Sequence, residues 1–329
     1  MSQFKDFRTT IDPIEAPKEL RYGDRIMMLG SCFTNNIGDR LKRVKFDTMV
    51  NPLGILYNPS SLASALERIV DGRTLEEEDI EWFGNSYGSF EFHSDFNRVS
   101  KQECLDLINR TIVEAHEYIK KCQHLFITFG TSYIYERKST GSIVGNCHKQ
   151  PEKEFKRFRL SPSEVVMNWA DILKRVWAVN PNIQVTFTVS PIRHLRDGAV
   201  GNQRSKSVLL LSIDRLIEGY SKKNIGYYPA YEIMMDDLRD YRFYAKDMVH
   251  PSDLAVDYIW DHFLKCHITE ETRVLMQKIN KIVMSASHRP INPNGNEYKV
   301  FVSRLLSRIE ELSSIYPEID FSDIIHQFN

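Results

Sequence analysis

The sequence lacks a long apolar run, an excess of charge of either sign and a regular array of cysteines. Each absence excludes a class of protein. The longest apolar stretches, such as Val208 to Ile213, fall far short of the ~20 residues needed to cross a bilayer, so no membrane helix is expected. Lys plus Arg number 43 and Asp plus Glu 44, a net charge of −1. Binding by broad phosphate neutralisation requires a clear basic excess, so no nucleic-acid partner is expected. Five cysteines, an odd set without close regular spacing, argue against a disulfide scaffold. The segment Met1 to Arg8 has no basic stretch followed by an apolar one, so no secretory signal is read and a cytoplasmic, reduced setting is expected. The sequon Asn109-Arg110-Thr111 falls within an expected helix and means little in that setting.

Cofactor fingerprints are missing too. Gly30 belongs to no Gly-x-Gly-x-x-Gly, and no Gly-x-x-x-x-Gly-Lys segment occurs, so neither dinucleotide nor P-loop binding is indicated. His148, His194 and His250 with Asp247 are the residues a metal would need, but no Cys-x-x-Cys or His-Glu-x-x-His spacing supports one. No cofactor is expected. What is present is ordinary globular composition, 42% hydrophobic and 26% charged, which argues against disorder.

Strand and helix patterns alternate from residue 25 to about 265. Buried strands are expected at 25–29, 46–50, 124–129, 183–189 and 224–228. Helices are expected at 34–44, 60–70, 101–121, 161–179, 206–220 and 251–263, with a hairpin over 82–90. Ser161-Pro-Ser-Glu is a clear helix start. The alternation predicts a mostly parallel sheet covered on both faces. Two further helices, 268–286 and 296–314, flank a Pro/Asn/Gly loop at 289–295 and read as an appendage without a second core. The expected division is therefore one α/β domain over 1–270 and a helical extension over 271–329.

Open α/β sheets bind ligands at the carboxyl ends of their strands. Gly30-Ser31-Cys32-Phe33 lies at such an end and places two possible nucleophiles on a turn feeding a helix N-terminus, where developing negative charge is favoured. Asp247-x-x-His250 can bring a carboxylate to one imidazole nitrogen and leave the other for a nucleophile, or can merely cap the helix after Pro251. Gly145-Asn146-Cys147-His148 reads as a loop near the site, with Asn146 or His148 touching substrate or serving structure alone. Arg193 and His194 end a strand on the same face, and Arg193 suits a carboxylate or phosphate of a ligand or, as is commoner, an acidic neighbour. The aromatic and charged stretch Tyr227 to Tyr244 reads as packing behind the Asp247–His250 loop or as a pocket wall.

The combination resembles the SGNH hydrolases. Met28-Leu-Gly-Ser-Cys-Phe-Thr34 stands at the first block, Gly54 at the second, Phe129-Gly-Thr-Ser132 at the third and Asp247-Met-Val-His-Pro-Ser252 at the last. More narrowly the chain resembles the GSCFA family, with Thr34 replacing the final Ala, over about residues 20 to 270. The resemblance implies a three-layer α/β/α sandwich and acyl chemistry at Cys32 or Ser31, with His250 as base and Asp247 as its orienting partner. It also implies an oxyanion hole involving Gly54 and Ser132. Two departures from the pattern matter. Aligning on Gly30 puts Cys32 where the serine stands and Ser31 on the block's Asp, so the intermediate through Cys32 is a thioester, open to acyl transfer as well as hydrolysis. Ser132 replaces the block's Asn, and losing one such donor costs about 3 kcal/mol in a hydrolase. The expected substrate is a small-molecule or carbohydrate acyl ester. The rival expectation is a non-catalytic pocket for a glycan or acyl ligand.

Overall fold

A computed structural model describes residues 8–14, 16–288, 292 and 295–328. In chain order the first elements are β1 (Arg25–Gly30), α1 (Cys32–Arg43), β2 (Asp47–Val50) and α2 (Pro59–Asp71). A small hairpin, β3 (Glu81–Trp82) and β4 (Tyr87–Gly88), precedes α3 (Lys101–Ile119) and β5 (His124–Phe129). Then follow β6 (Tyr133–Arg137), β7 (Ile143–Val144), β8 (Phe155–Arg159), α4 (Pro162–Val179), β9 (Gln184–Val189), α5 (Gly198–Gly219) and β10 (Ile225–Tyr228). One turn of helix, α6 (Ala230–Glu232), runs into a π-helical turn over Ile233–Asp237. The last helices are α7 (Asp253–His267), α8 (Glu270–Ala286), α9 (Asn296–Ile315) and α10 (Ser322–Phe328).

Five strands form a parallel sheet in the order β10-β9-β5-β1-β2. This is the doubly wound order whose switch point lies where β1 borders β5. The strand sequences explain their place. In β1, Met27 and Leu29 pack on one face while Ile26 and Met28 pack on the other. Leu125, Ile127 and Phe129 of β5 join the first face, with Val185, Phe187 and Val189 of β9. That face is covered by α2, α3, α4 and α5 around Trp169, which is fully buried. The opposite face is covered by α1 through Phe33, Ile37 and Leu41, and by α7 through Ala255, Ile259 and Phe263. The result is the expected three-layer α/β/α sandwich. Burial on both faces is what makes β1 and β5 read as nearly continuous apolar runs, whereas β9, equally buried, alternates apolar residues with Gln184, Thr186 and Thr188.

Helix starts follow their capping residues. Asn58 accepts from the Ser61 amide at the head of α2, with Pro59 at its first position. Ser161 and Glu164 form a reciprocal capping box at α4. Ser31, at the head of α1, has the N-cap position but makes no side-chain capping bond.

Three expectations need correction. The antiparallel sheet β7-β6-β8 leaves no clear sequence pattern, because its strands are short and mostly half-exposed. α5 starts at Gly198, not Lys206, since its first turns carry Gly and polar residues and lack apolar periodicity. The C-terminal helices α8, α9 and α10 enclose a hydrophobic cluster of their own, including Ile279, Ile282, Leu305, Ile309 and Phe321. The expected loop at 289–295 lies mostly outside the described residues. Among the described residues no helix is long and apolar enough to cross a membrane.

Candidate active site

The turn after β1 is shaped by Gly30, whose φ is +146°. A Cβ there would lie 2.5 Å from the Thr128 carbonyl oxygen and 2.8 Å from Thr34 Oγ1, so only glycine lets this turn pass so close to β5. The Gly30 amide donates to Asn51 Oδ1 at 2.7 Å, and Asn51 Nδ2 donates to Asn35 Oδ1 at 2.6 Å. Asn51 itself holds a left-handed φ of 43°. The Gly130 and Thr131 amides both donate to the Tyr57 carbonyl. The loops after β1, β2 and β5 are thus fastened to one another at the sheet's carboxyl edge.

Ser31 and Cys32 sit on this edge. Ser31 is 1% exposed, and its Oγ has no partner among the described residues. Cys32 is partly exposed and opens α1. Burial pushes its thiol pKa up, while the amides of Phe33 and Cys32 and the charge of Lys206 pull it down.

The Asp247–His250 loop forms the second half of the site. His250 Nδ1 lies 2.6 Å from Asp247 Oδ2, and Asp247 Oδ1 accepts from the amides of Val249 and His250 at 2.9 and 3.0 Å. These bonds hold the Asp247 carboxyl down at about 2, so it is ionised at neutral pH. An ionised carboxylate only accepts, so His250 Nδ1 carries the proton toward Asp247 and Nε2 is left for chemistry. The loop is closed by Ala245 and His250, whose amide and carbonyl pair at 2.8 Å, and by the Ser252 amide on the Phe243 carbonyl. Tyr244 and Val249 pack on the α1–α7 core. The Tyr227–Tyr244 stretch therefore supports this loop and does not line the cleft.

A cavity of about 510 Å³ joins the two halves, with Ser31, Cys32 and His250 in its lining. Asn146, Arg193 and His194 line it as well. Arg193 donates from Nε to Met235 Sδ and has no carboxylate partner among the described residues. His194 is held down at about 4, first by burial and then by the charges of Lys206 and His250, so it is neutral at physiological pH. Its Nε2 is buried without a partner among the described residues.

Four expected residues do not line this cavity: Asp247, which reaches it through His250, and Gly54, Ser132 and His148. Ser132 is fully buried, and its amide and hydroxyl both donate to Ser205 Oγ. Gly54 turns the chain at φ +84° against His93, and its amide is engaged by the Asn51 carbonyl at 2.8 Å. His148 is buried, stacked on Phe83 at 4.1 Å with Nε2 on the Ser89 carbonyl, which makes it a packing residue behind the cleft. Among the described residues no three His, Cys, Asp or Glu side chains converge as metal ligands.

A model of the GSCFA family matches residues 25–263. The chain belongs to the GSCFA family. A second model, the GSCFA domain protein C-terminal domain, matches residues 279–329, the region of the separate α8–α10 cluster. None of the curated proteins matches this GSCFA chain. Among solved structures it is similar to an acetyl xylan esterase from Butyrivibrio proteoclasticus, at 12% identity and a TM-score of 0.33, covering 64% of the GSCFA chain. The match spans 56% of that esterase. It is also similar to a Clostridium thermocellum family 3 carbohydrate esterase, at 11% identity and TM-score 0.35, covering 77% of this chain and 98% of that one. A family 3 carbohydrate esterase from Talaromyces cellulolyticus matches at 8% identity and TM-score 0.37, over 78% and 99% of the two chains.

Sequence reasoning missed several residues of the GSCFA cleft. Tyr57, Tyr133, Tyr135, Arg157 and Asp197 also line it. Arg157 and Asp197 form a two-pronged ion pair, with the guanidinium 4.2 Å from the Tyr133 ring centre. Lys206, fully buried under the cleft, was missed as well. A signal for it existed: Asn202, Lys206, Leu209, Ile213 and Leu216 share the buried face of α5 at helical spacing.

Proposed function

We propose that this GSCFA protein is an acyl-ester hydrolase or acyltransferase working through a covalent acyl-enzyme on Cys32. The observation that carries the reading is the 2.6 Å Asp247–His250 pair, set in the same cleft as the thiol at the head of α1. His250 Nε2 takes the Cys32 proton, and the thiolate attacks the acyl carbonyl. The tetrahedral intermediate collapses as His250 returns the proton to the leaving alkoxide, which departs as an alcohol and leaves a thioester. Water or an acceptor hydroxyl then gives its proton to His250 and attacks the thioester, releasing acid or transferred ester and restoring the thiol. Developing negative oxygen meets the amides at the head of α1, with Asn146 and neutral His194 as further donors.

The substrate we favour is an acylated carbohydrate. The aromatic wall of Tyr57, Tyr133 and Tyr135 suits a sugar ring, and Arg193 suits an anionic substituent. All five cysteines are free, which agrees with a reducing, cytoplasmic setting. The test is turnover of p-nitrophenyl acetate and of an acetylated xylo-oligosaccharide. Cys32→Ala abolishes it and Ser31→Ala does not. Wild-type rates in Cys32→Ala remove the thiol from the mechanism, and the reverse pattern moves the role to Ser31. A second reading, a binding protein for an acylated glycan, is favoured by the engaged Gly54 amide and Ser132 hydroxyl. It predicts measurable ligand binding with no turnover by the wild-type protein.

A further inference from the structure

Lys206 is 0% exposed, and its ammonium donates to the carbonyls of Gly130 at 2.7 Å and Ser190 at 2.9 Å. An ammonium has three protons, so one remains. Among the described residues no carboxylate pairs with it. Burying an uncompensated cation is costly, and two neutral carbonyls do not require one.

Strand register indicates what lies beside it. Gly30 pairs with Thr128 across β1 and β5, and Phe129 pairs with Val189 across β5 and β9. Cys32, Gly130 and Ser190 therefore stand just past three neighbouring strand ends, and Cys32 and Ser190 line the same cavity. We propose that Lys206 is the buried counter-cation of the Cys32 thiolate, a positioning residue that makes the thiol ionisable in an otherwise desolvated place. This rests on the reading of Cys32 as nucleophile.

The carboxylates of the cleft have partners of their own, Asp197 on Arg157 and Asp247 on His250, and the remaining groups around this pair are neutral or cationic. Tyr57 comes from the loop before α2, and His194 from the loop after β9. The Tyr231 ring lies 5.4 Å from Nζ, and His250 lines the same cavity as Cys32. The thiolate is thus the anion the site itself can generate. The coupling is mutual: burial holds Lys206 down at about 7, and Cys32 pulls it back up. When Cys32 ionises, its proton leaves on His250 and the ammonium keeps its own.

The experiment measures the alkylation rate of Cys32 by iodoacetamide against pH, mapped by peptide mass, which needs no substrate. In Lys206→Met the rate at pH 7 falls about ten-fold or more while the high-pH plateau is kept, and Lys206→Arg restores much of the loss. Superimposable pH profiles in folded wild-type and Lys206→Met protein overturn the proposal. If Lys206→Met does not fold, the Lys206 titration is followed by NMR of 13C-labelled lysine in wild-type and Cys32→Ser protein. Loss of the thiol lowers the ammonium's pKa, and an unchanged titration overturns the pairing. Both tests read the Cys32–Lys206 pairing without turnover, so a protein that lacks esterase activity or works through Ser31 can still pass them, and the pairing and the acyl-enzyme reading fail separately.

Discussion

Asn51 Oδ1 accepts the Gly30 amide at 2.7 Å, tying the loop after β2 to the turn that presents Ser31 and Cys32. Asn51 adopts a left-handed φ that Asn tolerates better than most residues. Asn51→Ala leaves a buried donor unpaired and keeps a Cβ in a strained region. It lowers stability by about 1–3 kcal/mol and acyl turnover by more than stability alone explains. Urea unfolding and turnover at saturating substrate measure both, and an unchanged urea midpoint contradicts the account.

Gly30→Ala places a methyl group against the Thr128 carbonyl, a backbone atom that cannot swing away. The cost is roughly 3 kcal/mol, from overpacking together with the forbidden φ. Thermal unfolding of the variant at wild-type temperature would show the clash to be absent.

Asp247→Asn keeps the size of the side chain and removes the charge facing His250 Nδ1. Turnover falls on the order of 10³-fold with little change in KM, as expected for a partner that orients the base and stabilises its charged form. Because Asp247 is held near 2, its carboxylate keeps the pair intact down to about pH 3. Its contribution to stability is present above its ordinary value of 3.8 and disappears as pH drops through 2. A wild-type rate in Asp247→Asn removes the pair from the mechanism.

Buried imidazoles add a second acid dependence. Burial holds His267 down at about 3 and His194 at about 4, against an ordinary 6.5. Between pH 6.5 and 3 the unfolded chain binds protons that these buried imidazoles refuse in the folded chain, so their contribution to stability falls as pH falls over that window and levels off below it. His267 packs among Phe126, Tyr228 and Phe263. His267→Phe keeps that packing and abolishes its titration. Urea midpoints at pH 7, 5 and 4 then decline less steeply than in the wild type; equal slopes would show that His267 does not carry the effect.

The parts legible in the chain are those governed by local pattern. β1 and β5 carry apolar residues on both faces because both are covered, while β9 alternates Val185, Phe187 and Val189 with the buried Gln184, Thr186 and Thr188. Ser161, Pro162 and Glu164 spell a helix start within one turn. Asp247 and His250 are three residues apart, so their contact needs only a tight loop. What only tertiary structure decided depends on partners far along the chain. The Ser132 hydroxyl donates to Ser205, 73 residues away, and His148 is held by Ser89, 59 residues away. Lys206 became a buried cation under the cleft because β5 and β9 end side by side, so that two carbonyls from distant segments face the same point. Side-chain periodicity records which face of an element is covered; the bonding state of a particular hydroxyl, amide or ammonium is settled only when separate strand ends meet.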